Sequence, residues 1–134
     1  MILVTEQPLS PEQAVRDART NASGCVVTYV GLIRDNARDK SVLSVEYRDA
    51  SGNAAEQLEE IAEEIRQRWP VETVVIYHRT GILKVGDINL IIAIAAGHRG
   101  EGFEAASYAV DRFKEKLPTS KKEIYADGTV FTVA

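Results

Sequence analysis

An uninterrupted apolar stretch, residues 90–96, does most to limit the folds open to this chain. It is the longest apolar run in the sequence, yet it is far shorter than the roughly 20 residues that a membrane-spanning helix requires. Its composition, Leu-Ile-Ile-Ala-Ile-Ala-Ala, is typical of a fully buried strand. We therefore predict a central β-strand over residues 89–96, with a glycine-rich turn at residues 97–102 directly after it.

Segments on both sides of this strand have the features of helices. Residues 54–69 repeat apolar side chains with a helical period, which predicts an amphipathic helix that Pro70 terminates. A second long helix is predicted over residues 101–116, before Pro118. A short helix is predicted to begin at Ser10-Pro11, since serine suits the capping position and proline the first helical position.

The remaining β-rich segments complete the predicted fold. Strands are expected over residues 25–33, 42–48, 73–80 and 89–96, with a short extended piece at 81–86, a loop at 34–41 and a hairpin at 123–133 around Asp127-Gly128. This order favours an α+β fold over a doubly wound parallel sheet. The simplest arrangement is a single, mostly antiparallel sheet with the helices on one face. We expect one domain over residues 1–134, since that length is typical of a single domain.

Charge and residue types exclude several kinds of site. The chain has 16 basic and 20 acidic residues, a net charge of −4, which argues against a nucleic-acid partner. One cysteine, Cys25, and two histidines are too few for a disulfide or a structural zinc site. The acidic residues between Glu56 and Glu64 are expected to form a solvated helix face. These residue types therefore predict no metal site.

The N-terminal segment lacks the features of a targeting sequence. No apolar stretch follows a basic start, so no secretory signal is predicted. With no run long enough to span a bilayer, the sequence favours a cytoplasmic protein with no membrane partner.

The turn after the central strand, Gly97-His98-Arg99-Gly100-Glu101-Gly102, is one candidate site. Backbone amides at a helix N-terminus, glycines and an arginine side chain together suit an anion. His98 adds a hydrogen-bond donor or a proton-transfer group. These residues alone leave two interpretations open, an oxyanion or phosphate site and an ordinary surface loop.

Lysines cluster around the end of the second long helix. Lys114 and Lys116 fall in its last turn, where lysine also complements the helix dipole, while Lys121 and Lys122 begin a new strand. Neighbouring cations could make one lysine a base or nucleophile. Arg34 stands at the end of the first predicted strand, where a surface charge is the usual interpretation. His78-Arg79 ends another strand and is interpreted as structural or interface material.

Several short blocks, in this order and spacing, resemble the MoaE family, the catalytic large subunits of molybdopterin synthase. The blocks are residues 24–34 (Gly-Cys-Val-Val-Thr-Tyr-Val-Gly-Leu-Ile-Arg), Arg68-Trp69-Pro70, His78-Arg79-Thr80-Gly81, Val85-Gly86-Asp87, His98-Arg99, Phe103-Glu104-Ala105, Lys114, Pro118 and Lys121-Lys122-Glu123. The resemblance runs from about residue 2 to residue 131.

The resemblance implies an α/β-hammerhead fold and a central homodimer. It also implies that each outer end binds a ubiquitin-like small subunit, which gives a heterotetramer. The C-terminal Gly-Gly tail of that subunit carries a thiocarboxylate, and its sulfur passes to cyclic pyranopterin monophosphate (precursor Z) to form the molybdopterin dithiolene. No metal or cofactor is implied for that step.

Site residues follow from the same resemblance. Lys114 and Lys121 match the two active-site lysines, and Lys114 is expected to have the larger chemical role. Substrate-binding positions fall on Leu32, Ile33, Arg34, His98, Arg99, Lys122 and Glu123, of which Arg34, His98 and Arg99 are expected to hold the pterin phosphate.

Departures from the family pattern keep alternatives open. Thr119-Ser120 stands where the family usually has a bulky, often aromatic pair, and Gly102 stands where it usually has alanine. A divergent, non-catalytic module that docks a ubiquitin-like tail or a phosphorylated ligand is therefore the main alternative. An RNA-contacting domain has only the lysine cluster in its favour, and the net charge of −4 argues against it.

Overall fold

The computed structural model describes residues 1–133, so Ala134, the last residue of the predicted domain, lies outside it. The elements are β1 (Ile2–Thr5), α1 (Pro11–Ala18), β2 (Cys25–Leu32), β3 (Asn36–Ala37), β4 (Lys40–Arg48), α2 (Ala54–Arg68), β5 (Val71–Arg79), β6 (Gly81–Lys84), β7 (Ile88–Ala96), α3 (Arg99–Lys116), β8 (Ser120–Tyr125) and β9 (Val130–Val133). The predicted helices are confirmed, although α3 begins slightly earlier than expected.

The apolar stretch forms β7, an inner strand of a sheet with the order β1-β5-β7-β2. It pairs antiparallel with β5 and with β2, while β1 adds to β5 in parallel. Leu90 is 2% exposed, and residues 91–96 are all fully buried. The prediction of a central, buried strand is confirmed.

Helices cover both faces of this sheet, so the expectation that they all lie on one face is wrong. With α2 and α3, one face forms a core that includes Leu58, Ile65, Ile92, Ile94 and Phe113. With α1, the other face forms a core that includes Ala14, Ala18, Val75, Ile91 and Ala93. Side chains alternate between the two faces of a strand. A continuously apolar β7 would therefore expose apolar surface to solvent on both faces of the sheet unless both were covered.

A second sheet has the order β3-β4-β8-β9, with β6 also paired to β4, so the expectation of a single sheet is wrong. Both β6 and β8 pair antiparallel with β4 instead of extending an edge of the first sheet. A third core forms there from Ile33, Val42, Val45, Tyr47, Leu83 and Tyr125. Among the described strands, only β1 with β5 is a parallel pair, so the mostly antiparallel α+β class is confirmed.

Two short strands were not predicted. Strand β1 has only four residues, and it is held by pairing with the distant β5. Within the predicted loop, β3 and β4 form a tight hairpin whose turn residues, Arg38 and Asp39, have φ of 53° and 61°. Positive φ at both positions suits this turn, but glycine or asparagine usually signals it, and neither residue is present there.

Candidate active site

A cavity of about 610 Å³ opens where α3 meets the ends of β2, β7 and β8. Its lining includes the predicted site residues Leu32, Arg34, Lys114 and Lys121. Arg34 lies two residues after the end of β2, Lys114 belongs to the last turn of α3, and Lys121 is the second residue of β8. The fold therefore gathers the basic side chains of three separate chain segments around one cavity, an arrangement suited to an anionic ligand.

A smaller cavity of about 80 Å³ adjoins the first and shares Leu32, Arg34 and Lys121 with it. Ile33 and Glu123 also contribute to its lining. Ile33 is only 6% exposed and belongs to the third core, so it supports the wall of this cavity.

The carboxylate of Glu123 lies beside Lys121, with Oε2 3.7 Å from Nζ. Its Oε1 accepts a hydrogen bond of 2.7 Å from the Tyr125 hydroxyl and lies 3.8 Å from Nε of Arg38. The side chain of Glu123 is 12% exposed, so these partners hold it in place. A carboxylate repels an anion, which means that Glu123 acts on the cavity through Lys121.

Lys122 is exposed and belongs to the lining of neither cavity. Successive side chains of a strand point to opposite faces, so Lys121 and Lys122 cannot both face the cavity. The structure thus separates Lys122 from Leu32, Ile33, Arg34 and Glu123, the predicted binding residues that line these cavities.

His98 and Arg99 lie at the start of α3, the end opposite to Lys114. His98 is the N-cap residue, without a side-chain capping bond, and both residues are exposed. At about 1.5 Å of rise per residue, the helix separates the Cα atoms of Arg99 and Lys114 by about 22 Å. Within one chain, therefore, the structure does not bring these two residues into the cavity with Arg34 and the lysines.

The sequence offered no role for Tyr47 and Asn89, which also line the large cavity. The Asn89 side-chain amide donates a hydrogen bond of 3.1 Å to the Tyr47 hydroxyl. Burial raises the pKa of Tyr47 to about 12, so this phenol is neutral at physiological pH. A polar Asn89 at the start of an otherwise apolar strand was the sequence signal that could have identified this position.

Comparison with known proteins places this chain in a family. Residues 4–116 match the family model described as MoaE protein. The chain belongs to the MoaE family. The matched range includes Arg34, His98, Arg99 and Lys114, while Lys121 and its neighbours follow it.

Named relatives and a solved structure are similar to this MoaE family member over most of its length. The molybdopterin synthase catalytic subunit of Homo sapiens is 34% identical over 131 residues, which cover 98% of this chain and 70% of the human protein. The corresponding protein of Nostoc is 41% identical over 127 residues, covering 94% of this chain and 77% of the relative. The crystal structure of molybdopterin synthase from Staphylococcus aureus has a TM-score of 0.91 at 30% identity, covering 98% of this chain and 96% of that one.

The acidic face of α2 differs in one place from the expected solvated surface. Glu64 accepts hydrogen bonds from the Tyr108 hydroxyl at 2.6 Å and from Nε of Arg112 at 2.9 Å. The bond from Arg112, followed by that from Tyr108, lowers the pKa of Glu64 to about 2. In this MoaE family member Glu64 thus links α2 to α3.

The described part of the chain lacks two features. Residues 1–133 contain no group of three or more histidine, cysteine, aspartate or glutamate side chains that could hold a metal ion. Over the same residues, no helix is long and apolar enough to cross a membrane.

Proposed function

We propose that this chain is the catalytic subunit of a molybdopterin synthase. In this proposal it transfers sulfur from the C-terminal thiocarboxylate of a ubiquitin-like small subunit to cyclic pyranopterin monophosphate, which forms the molybdopterin dithiolene. The observation that carries the proposal is the cavity that Arg34, Lys114 and Lys121 line together. Relatives that carry the name of this catalytic subunit over most of the chain support it.

The size and charge of the cavity suit the two proposed reactants. Its volume of about 610 Å³ lies within the range typical of small-molecule sites. Both the phosphate of the pterin and the thiocarboxylate of the tail are anions. Arg34 can bind phosphate through paired hydrogen bonds, while a lysine presents a compact positive charge.

The lysines have different surroundings, which supports different roles. Lys121 is paired with Glu123, and Lys116, two residues after Lys114, is paired with Glu60 and Glu64. Among the ion pairs of residues 1–133, none includes Lys114. Lys114 is therefore the group that we assign as acid or base while the sulfur attacks, with Lys121 stabilising the developing oxyanion.

The distance of His98 and Arg99 from the cavity leads to a composite site. In the proposed homodimer these two residues complete the cavity of the second protomer, where they help to hold the phosphate. An apolar groove of about 360 Å³ between the edge strand β2 and α3 supports this arrangement. It includes Phe103, which is 60% exposed and follows Arg99 by one helical turn. A small subunit at each outer end then gives the heterotetramer.

The alternative of a non-catalytic docking module rested on Thr119-Ser120. Both residues have partners, since the Thr119 hydroxyl bonds to His78 and the Ser120 hydroxyl donates to the Arg48 carbonyl. Both small residues are thus held by hydrogen bonds, so their size alone is not an argument for lost catalysis. The comparisons with named catalytic subunits favour the enzyme.

A reconstituted reaction tests the proposal. The protein is incubated with the thiocarboxylated small subunit and cyclic pyranopterin monophosphate, and molybdopterin is measured. We expect molybdopterin that contains the sulfur of the small subunit. A folded chain that binds the small subunit but yields no molybdopterin would overturn the proposed catalysis and favour the docking module.

A further inference from the structure

His78 is fully buried beneath the cavity, and both of its ring nitrogens have partners. Nδ1 lies 2.9 Å from the Asn89 carbonyl oxygen, and Nε2 lies 2.9 Å from the Thr119 hydroxyl. A carbonyl oxygen can only accept, so Nδ1 carries the proton. Burial lowers the pKa of His78 and so favours the neutral ring, in which Nε2 accepts from Thr119. The ring is therefore held as the neutral Nδ1–H tautomer.

Two aromatic rings fix the plane of this imidazole. Tyr47 and Phe113 each lie with their ring centroid 5.0 Å from that of His78, at interplanar angles of 82° and 80°. Edge-on contacts of this kind are favourable and directional. Together with its hydrogen bonds, they leave His78 a single orientation.

Three of the four residues that contact His78 lie close to a lysine of the cavity, either along the chain or across paired strands. Phe113 directly precedes Lys114 on α3, and Thr119 lies two residues before Lys121. Tyr47 is the cross-strand partner of Lys121 between β4 and β8. The ring thus connects the helix that carries one lysine with the strand that carries the other.

Thr119 is the unusual member of this arrangement. It is 3% exposed, and with His78 it makes up the buried polar residues of the described chain. The resemblance to the MoaE family led us to expect a bulky residue here, which would position β8 by filling space. In this chain the hydroxyl of Thr119 provides a directional bond in its place.

We propose that His78 is a positioning residue that, through Thr119 and Phe113, sets the separation of Lys114 and Lys121. This inference rests on the proposed function, because that function assigns the chemistry to these lysines. A displacement of about 1 Å in a reacting group can cost about 100-fold in rate. Loss of the Thr119 bond should therefore lower kcat and leave the KM values for small subunit and pterin unchanged.

Two substitutions of Thr119 and one control separate positioning from general stability. Thr119→Val keeps the shape but removes the hydroxyl, and Thr119→Ser keeps the hydroxyl. Tyr77→Phe is the control, because Tyr77 is equally buried but its hydroxyl bonds to Asp17 on the opposite face of the sheet. Fluorescence of Trp69, the one tryptophan, reports whether each variant is folded.

We expect Thr119→Val to lose about tenfold in kcat, while Thr119→Ser and Tyr77→Phe stay within about twofold of the wild type. Nitrogen NMR of the imidazoles, of which the chain has only two, should report the Nδ1–H tautomer for His78. A different tautomer, or a Thr119→Val variant as active as Tyr77→Phe, would overturn the proposal.

Carbon NMR of the lysine side chains distinguishes failure of this inference from failure of the proposed function. If the wild type makes no molybdopterin, the proposed function fails, and the Cε signals of Lys114 and Lys121 then become the readout. We expect Thr119→Val to shift these signals and Tyr77→Phe to leave them in place. Unchanged signals in Thr119→Val would reject His78 as a positioning residue.

Discussion

Nζ of Lys121 lies 3.7 Å from Oε2 of Glu123, on the strand that borders both cavities. Because Tyr125 and Arg38 hold the same carboxylate, Glu123 gives the lysine a fixed partner. The pair explains how an acidic residue can belong to a site that we propose for anions.

Glu123→Gln should lower the rate of molybdopterin formation. The amide keeps the size of the side chain but loses the charge that orients Lys121, and we expect a loss of about tenfold in kcat. Glu115→Gln is a suitable control, since the side chain of Glu115 is 61% exposed and Arg112 is its one ion-pair partner among residues 1–133. Steady-state kinetics check the prediction, and equal kcat values for both variants would contradict the positioning of Lys121 by Glu123.

Mixed dimers test the composite site. Arg99→Ala and Lys114→Ala should each abolish most activity alone, since every cavity then lacks one group. A dimer with one protomer of each kind has one intact cavity if Arg99 serves the other protomer. Random mixing of equal amounts should therefore restore about a quarter of wild-type activity. If Arg99 acted within its own chain, mixing would restore nothing.

Gly24→Ala should destabilise the fold near the turn that carries His98. A Cβ atom at Gly24 would overlap the carbonyl oxygen of Gly97, so the backbone must move. We expect a loss of about 2 kcal/mol in the free energy of unfolding, measured in urea. Gly100→Ala is the control, because a Cβ atom there meets no atom within 4 Å and alanine favours the helix. Equal stability of the two variants would refute the steric argument.

The bonds from Arg112 and Tyr108 to Glu64 predict a pH dependence of stability. They lower the pKa of Glu64 from 4.5 to about 2, so their contribution is present above pH 4.5 and is lost as the pH falls toward 2. Because solvent screens this partly exposed network, we expect about 1 kcal/mol. Glu64→Gln should lower the free energy of unfolding at pH 7 and flatten its decline between these pH values. If the free energy of unfolding of Glu64→Gln fell with pH as steeply as that of the wild type, this linkage would be contradicted.

Local patterns in the sequence were sufficient for most elements of the fold. The apolar run of β7, the stripe of α2 and the Asp127-Gly128 hairpin each have a local physical cause, and each was predicted. Strand β1 and the division into two sheets were not, because both depend on pairing between distant segments. The packing of α1 against the second face of the sheet likewise depends on contacts between distant segments.

The candidate site could be predicted only in part. From the residues alone, Arg34 and the lysines were separate features, and the resemblance to a family suggested that they act together. Their shared cavity depends on how β2, α3 and β8 converge. The separation of Arg99 from Lys114 follows from helical rise and could have been derived from the sequence. Substrate binding by His98, Arg99 and Lys122 stays a prediction.

Comparing Lys114→Ala with Lys116→Ala tests the central claim most directly. Lys116 lies two residues further along the same helix end, but its side chain points to Glu60 and Glu64 on α2. The measurement is the rate of molybdopterin formation with saturating thiocarboxylated small subunit and cyclic pyranopterin monophosphate. We predict that Lys114→Ala loses about 100-fold or more while Lys116→Ala stays close to the wild type. Equal activity of the two variants would contradict the assignment of this cavity as the catalytic site.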